Sequence, residues 1–420
     1  MRLRHRLAAV ALLVAAGCAA RQPVRSPAPA APPFLITFWC GPPLAEFNDA
    51  RAAEIAAAGF TIVGPPCEGD IDPPANRAAL DVAARHGLRL WLSDQRFGKY
   101  ALLAADWESR LDAAIAEYAA HPAFAGYFLT DEPAVPEFDS IARLVARLRS
   151  RDPAHLAYVN LLPDFVPPQG LGAETYHEYV ERFIATVQPP LLSYDYYPFR
   201  RNDQGENKDR TTFFRNLATI RAQSLEHRLP FMLIVLAMPH AHYRDPTEAE
   251  LSWQVYNALA FGARGISYFT YWTPVNVEGA EVMHFHYGLI ENGRPTRHYF
   301  EAAHLNRTIA ALGDELAAFD SLAVADSSGE IGGPFPIGPI DAVDGGPITV
   351  GLFMNDDGAL AALLVNRDYE YGVTAQLRLR AGATPPQAFD VASRRWDAAG
   401  DLSFPLPPGG AQLLRWQHVE

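Results

Sequence analysis

The chain is 420 residues long, 49% hydrophobic and 20% charged, with 48 Asp and Glu against 35 Lys and Arg, for a formal net charge of −13. That length suits a barrel-sized domain with one smaller companion. So acidic a body disfavours nucleic acid and anionic membrane surfaces as partners, and three widely spaced cysteines give no zinc site.

Arg2, Arg4 and Arg6 precede an apolar run, Leu7 to Ala16. It is too short to span a bilayer as a helix and has the length of a signal-peptide core. The run closes on Leu13 to Cys18, which resembles a bacterial lipobox, with Ala15 where Leu is the stronger choice. The resemblance implies that residues 1–17 are removed, that Cys18 carries lipid, and that Ala19 after it directs the protein to the outer membrane of the cell envelope. Losing residues 1–17 removes three arginines and takes the formal net charge to −16. Residues 18–33, rich in Ala and Pro, read as a tether. No later segment reads as membrane-spanning, so the body is expected to be soluble and held to a membrane only through Cys18.

From residue 34 apolar runs alternate with helical patterns. The runs are 34–39, 60–64, 88–92, 124–129, 156–161, 191–196, 231–237 and 265–271. Bounded by turn residues and rich in β-formers, they fit strands buried on both faces of a parallel sheet. Between them, Ile141, Leu144, Val145 and Leu148 repeat with helical period behind Asp139 as the expected N-cap, and Thr247 with Glu250 reads as a capping box. Eight strand-helix units predict a (β/α)8 barrel over 34–319, closed by a helix from about Thr296 to Phe319. No glycine-rich phosphate loop follows the first strand, which argues against a dinucleotide fold. Residues 321–346 are Gly-, Pro- and Asp-rich, and alternating segments at 348–354, 359–366, 374–379 and 412–416 predict a small antiparallel β-sandwich within 320–420.

The fourth run ends on Thr130-Asp131-Glu132-Pro133, an acid turn at the rim where barrel enzymes collect catalytic groups. The pattern resembles the fourth strand of clan A glycoside hydrolase barrels. That resemblance implies a Glu132 general acid, with Asp131 standing where the clan has a sugar-binding Asn. Glycoside hydrolysis needs a second carboxyl group, and the clan places it at the end of strand seven. Here that strand ends Ala237, Met238, Pro239, His240, with no acid. Asp195, at the end of strand six, is the best replacement, with Glu206, Glu278 and Glu281 on long loops in reserve. Its competing role is to orient a sugar hydroxyl.

Trp39, Tyr194, Tyr196, Tyr197, Tyr271 and Trp272 fall at the expected rim, where flat rings stack on sugars; Asp94, Asn160 and His240 are expected hydroxyl binders. Cys40 and Cys67 follow neighbouring strands, and both a disulfide and two free thiols are open readings. His240 with His242, and His284 with His286, form two His-x-His pairs that leave a metal-dependent hydrolase as a third reading, but the strand-one His-x-His usual in barrel metallohydrolases is absent and no metal or cofactor is expected. The sequence therefore predicts a lipid-anchored glycosidase acting on carbohydrate through Glu132 and Asp195. The alternative is a non-catalytic sugar-binding lipoprotein on a degenerate barrel.

Overall fold

The computed structural model describes residues 34–69 and 71–416. The signal-like run, Cys18 and the tether lie outside the described residues. Eight parallel strands are β1 (Leu35–Phe38), β2 (Ile62–Val63), β3 (Arg89–Leu92), β4 (Phe124–Asp131), β5 (Leu156–Leu161), β6 (Leu192–Tyr196), β7 (Phe231–Leu236) and β8 (Gly265–Phe269). They pair in the order β1-β8-β7-β6-β5-β4-β3-β2, which curls the sheet into a barrel whose seam lies between β1 and β2.

The seam is thinly hydrogen-bonded. Thr61 N–H donates to the Ile36 carbonyl at 2.9 Å, and Gly41 N–H to the Pro65 carbonyl at 2.9 Å. Close approach explains two glycines: a Cβ on Gly64 would collide with the Phe38 carbonyl, and one on Gly41 with the Gly64 carbonyl. A Cys40–Cys67 disulfide with 4.8 Å between Cα atoms staples this same seam, so the free-thiol reading falls.

The principal helices lie outside the sheet: α1 (Asp49–Ala57), α2 (Pro73–Arg85), α3 (Trp107–Tyr118), α4 (Phe138–Arg151), α5 (Tyr176–Val187), α6 (Phe213–His227), α7 (Glu248–Ala260) and α8 (Arg297–Leu316). Helix α4 buries Ile141, Leu144, Val145 and Leu148 as its period requires. Its start differs from expectation. Asp139 sits in the first turn, and Glu137 precedes the helix with its carboxylate accepting from Ala134 N–H at 3.0 Å. The Thr247–Glu250 capping box forms as read. No described helix is long and apolar enough to cross a membrane.

The segment after α8 is more ordered than its composition predicts. Strands at Phe319–Asp326 and Ile340–Asp344 run through the stretch read as irregular. The first joins a six-stranded antiparallel sheet with 348–355, 360–366, 411–416, 387–390 and 395–398; the second joins a three-stranded sheet with 373–379 and 403–406. This unit presses on α7, where a Cβ on Gly351 would overlap the Ala260 carbonyl and one on Gly409 the Ala249 carbonyl. Covered by the barrel on one side and this sheet on the other, α7 is buried from Glu250 to Ala260 except at Ser252, which is half-buried.

Candidate active site

Inside the barrel, Leu35, Ile62, Trp91, Ala125, Tyr158 and Met232 form an inner core, with Trp39 and Phe128 packed above it. The Trp91 and Tyr158 rings stack at 4.3 Å, and Trp39 meets Phe128 edge-on at 5.3 Å. A polar network rises from this floor. Tyr158 hydroxyl and Ser193 Oγ lie 3.1 Å apart, and Ser193 Oγ donates to Asn160 Oδ1 at 3.0 Å. That bond orients the Asn160 amide, whose Nδ2 donates to Asp195 Oδ1 at 3.0 Å and to Asp131 Oδ1 at 3.2 Å. Asn160 thus ties the acids of β4 and β6 together.

The third acid is placed by its backbone. Glu132 has φ of 45°, in the left-handed region that non-glycine residues enter at a cost of about 1–3 kcal/mol. Its N–H donates to the Asn160 carbonyl at 2.9 Å, and Tyr179 hydroxyl on α5 fastens the Pro133 carbonyl at 2.7 Å. This fixed turn swings the Glu132 carboxyl into a hydrogen bond with Asp195.

Burial holds all three acids toward their protonated forms, and repulsion adds to it at Asp131 and Asp195. Asp195 is 7% exposed, and its pKa lies well above the usual carboxylate range, chiefly from burial and then from the Glu132 and Asp131 charges; the Asn160 hydrogen bond opposes this. Glu132 is raised by desolvation, against the lowering effect of its bond to Asp195. Desolvation and the Glu132 charge push Asp131 up to about 7, with Asn160 and the Lys99 ammonium pulling the other way. Asp131 and Glu132 remain open to solvent. Crowding protein atoms still penalise charge there.

The wall beside Asp195 is aromatic. Tyr197 is buried within electrostatic reach of all three acids and packs on Phe269 at 5.3 Å, Tyr243 at 5.3 Å and His240 at 5.6 Å. His240, at the end of β7, is 3% exposed and also contacts Tyr243 and Phe285. Its Nδ1 lies 3.1 Å from the Met238 carbonyl, so that nitrogen carries the proton. Burial lowers its pKa to about 4, which keeps the ring neutral and leaves Nε2 as an acceptor.

Several expected residues stand elsewhere. Tyr194 and Tyr196 point to the outer face of the sheet: Tyr194 is buried in the barrel–helix core with no hydrogen bond to its hydroxyl, and Tyr196 bonds Thr212 Oγ1 at 2.5 Å. Neither can be a sugar platform. Tyr271 likewise stacks on Phe38 at 4.3 Å and bonds Glu54. Asp94 is consumed by a fork with Arg96, at 2.6 and 3.0 Å, and by Tyr118 hydroxyl at 2.8 Å. Trp272 is held beside the disulfide, with its N–H to Glu68 at 3.1 Å and the Arg51 guanidinium 5.3 Å from its ring. Glu206 and Glu278 are exposed on loops, and Glu281 on a short helix, Ala280–Met283. Among the described residues, no three His, Cys, Asp or Glu side chains group as metal ligands.

Strand alternation was the signal for this sorting. With Asp195 facing inward, its neighbours Tyr194 and Tyr196 must face outward and Tyr197 inward. Tyr243, Phe285 and Lys99 come from loops and left no such signal.

The family 42 glycoside hydrolase model, described as beta-galactosidase, matches residues 174–312. That third of the chain carries Asp195 and His240 but stops short of Glu132. Solved structures align over more of it. A family 42 beta-galactosidase from G. stearothermophilus superposes with TM-score 0.61 at 8% identity, covering 91% of this chain and 98% of that one. The fold is shared with glycoside hydrolases. A family 5 glycoside hydrolase from Bacteroides vulgatus gives 0.54 at 13% identity, with 91% and 88% covered. For a beta-galactosidase from the psychrophilic Marinomonas ef1 the values are 0.51 and 12%, covering 68% of this chain and 62% of that one. No curated protein matches the sequence.

Proposed function

We propose that this chain is a glycoside hydrolase that cleaves O-glycosidic bonds with Glu132 as general acid and Asp195 as the second carboxyl group. The observation that carries the reading is the hydrogen-bonded Glu132–Asp195 pair at the barrel mouth. Two carboxyls in contact cannot both ionise readily, so the pair holds one proton and one negative charge near neutrality. That is the stoichiometry glycoside cleavage requires.

In the free protein Asp195, the more buried group, keeps the proton and donates it to Glu132. Retaining enzymes hold their carboxyls about 5–5.5 Å apart and inverting ones ~6.5–9.5 Å. A sugar must therefore part this pair. As the glycosidic oxygen enters, it replaces Asp195 as the partner of Glu132, and the proton passes to Glu132 for delivery to the leaving group. Asp195, freed as a carboxylate beside Asn160, then attacks the anomeric carbon or draws a proton from water. Asp131 and the neutral His240 Nε2 receive sugar hydroxyls, and Trp39 and Phe128 line the floor.

The matched model makes a β-galactoside the first substrate to try. The disulfide suits an oxidising compartment, consistent with export and attachment to the outer membrane through lipid on Cys18. The test is release of sugar from a panel of α- and β-linked glycosides, with the anomer of the first product read by NMR. Turnover that Glu132→Gln and Asp195→Asn each abolish supports the assignment. Turnover untouched by both substitutions overturns it.

A further inference from the structure

Beyond the acids, the rim around β3 carries an open groove that the chemistry above leaves unused. Ser93, Gln95, Lys99, Tyr100, Leu103 and Arg110 help line a cavity of about 580 Å³. That lies within the ~300–1,000 Å³ range of small-molecule sites. A second hollow of about 420 Å³ shares Ser93, Asp94 and Gln95 with it and continues toward Gly69 and Asp72. The two lie next to each other on the rim.

The groove adjoins the acid site. Lys99 N–H donates to the Leu129 carbonyl on β4 at 3.0 Å, which lays this loop over the strand that delivers Asp131 and Glu132. The Lys99 ammonium acts electrostatically on Asp131, lies 5.2 Å from the Tyr100 ring centre, and sits 3.7 Å from Glu137. It therefore stands between the groove and the chemistry.

Tyr100 is 70% exposed and Leu103 84%, an aromatic and an aliphatic group left open at the two ends of one backbone turn. Water-facing apolar surface of this kind marks binding surfaces. Tyr offers a flat apolar face with a polar tip, and the apolar faces of pyranose rings stack on such groups. Arg110 is exposed, and among the described residues no ion pair engages its guanidinium. Lys99, 3.7 Å from Glu137, and Arg110 are the cations on the groove, while its carboxylate Asp94 is already paired with Arg96, so Arg110 is the charge left free to meet an anion.

We infer that this groove is a subsite for the continuation of a glycan chain bearing carboxylate or sulfate groups, with Tyr100 as the stacking platform and Lys99 and Arg110 facing the anionic substituents. The inference rests on the glycoside hydrolase reading and adds to it that the substrate is a polymer and is anionic. A neutral disaccharide would fill the acid site and leave the groove empty.

The test separates the two readings. Affinity electrophoresis of the full soluble chain is run in polygalacturonate, alginate and chondroitin sulfate, with neutral galactan and glucomannan as controls, for the unmodified protein, Tyr100→Ala and Arg110→Gln. The expected result is retardation in at least one anionic gel and less in the neutral ones. Tyr100→Ala should weaken it about fivefold. Arg110→Gln should weaken it about two- to threefold at low salt and not at high salt. Hydrolysis of aryl monoglycosides, which cannot reach the groove, should be the same in all three proteins. Retardation by neutral gels alone, by none, or to the same degree in all three proteins would overturn the inference. Loss of aryl glycoside turnover in the unmodified protein would instead count against the catalytic reading and leave the electrophoresis result standing by itself.

Discussion

Asp131→Asn removes one charge from the acid cluster, and its effect on stability follows from that cluster. Asp131 has its pKa raised from 3.8 to about 7. A carboxyl whose folded pKa is raised binds more protons in the native than in the unfolded state, so stability falls as pH rises between those two values. A shift of about three units corresponds to about 4 kcal/mol if undiminished. The Asp131 side chain is open to solvent, and screening leaves about 1–2 kcal/mol. The substitution is nearly isosteric, and its amide oxygen still accepts from Asn160 Nδ2. Thermal unfolding followed from pH 4.5 to 8.5 should show the unmodified protein losing stability through this window, and Asp131→Asn losing about 1–2 kcal/mol less. Parallel curves for the two proteins would refute the claim that Asp131 carries a strained charge.

Other consequences are equally direct. Replacing Cys40 and Cys67 by Ser opens a loop of sequence separation 27 at the thinnest seam of the barrel and should cost about 3–4 kcal/mol in denaturant unfolding; a cost below about 1 kcal/mol would mean that the seam holds without the staple. Tyr194→Phe removes a buried hydroxyl that has no hydrogen-bond partner, so stability should hold or rise by up to about 1 kcal/mol with kcat unchanged. A tenfold fall in kcat there would put Tyr194 in the site after all. Because burial and repulsion hold on to the one proton that Glu132 and Asp195 share, activity should decline on the alkaline side at a pH above the normal carboxylate range as the pair loses it, and a decline centred on that range would contradict the assigned pair.

The barrel was legible because its strands are buried on both faces and read as unbroken apolar runs, with ends that agree with the structure to within about two residues. The disulfide was open until geometry joined two strands that the sequence only numbers. The strands at 319–326 and 340–344 hid in a Gly- and Pro-rich stretch because they are short or half-exposed and gain their order by pairing with 348–355 and 373–379. In the site, Glu132, Asp195, Asp131 and Asn160 converge as their strand-end positions imply. Tyr194 and Tyr196 were misplaced for a single reason, the two-residue alternation of a strand, which sends both to the helix side of the sheet, whereas Asp94, two residues past β3, is taken up by Arg96 and Tyr118. Trp272 has the right strand end, but its ring is turned to Glu68 and Arg51.

The most direct test of the account compares aryl glycosides with good and poor leaving groups for Glu132→Gln and Asp195→Asn. A general acid matters only when the leaving oxygen needs a proton. Glu132→Gln should therefore lose about 10²–10⁴-fold in kcat/KM on a phenyl glycoside and much less on a dinitrophenyl glycoside, whereas Asp195→Asn should be crippled on both. Equal losses on the two substrates for Glu132→Gln, or full activity in Asp195→Asn, would contradict the assignment of these two carboxyls.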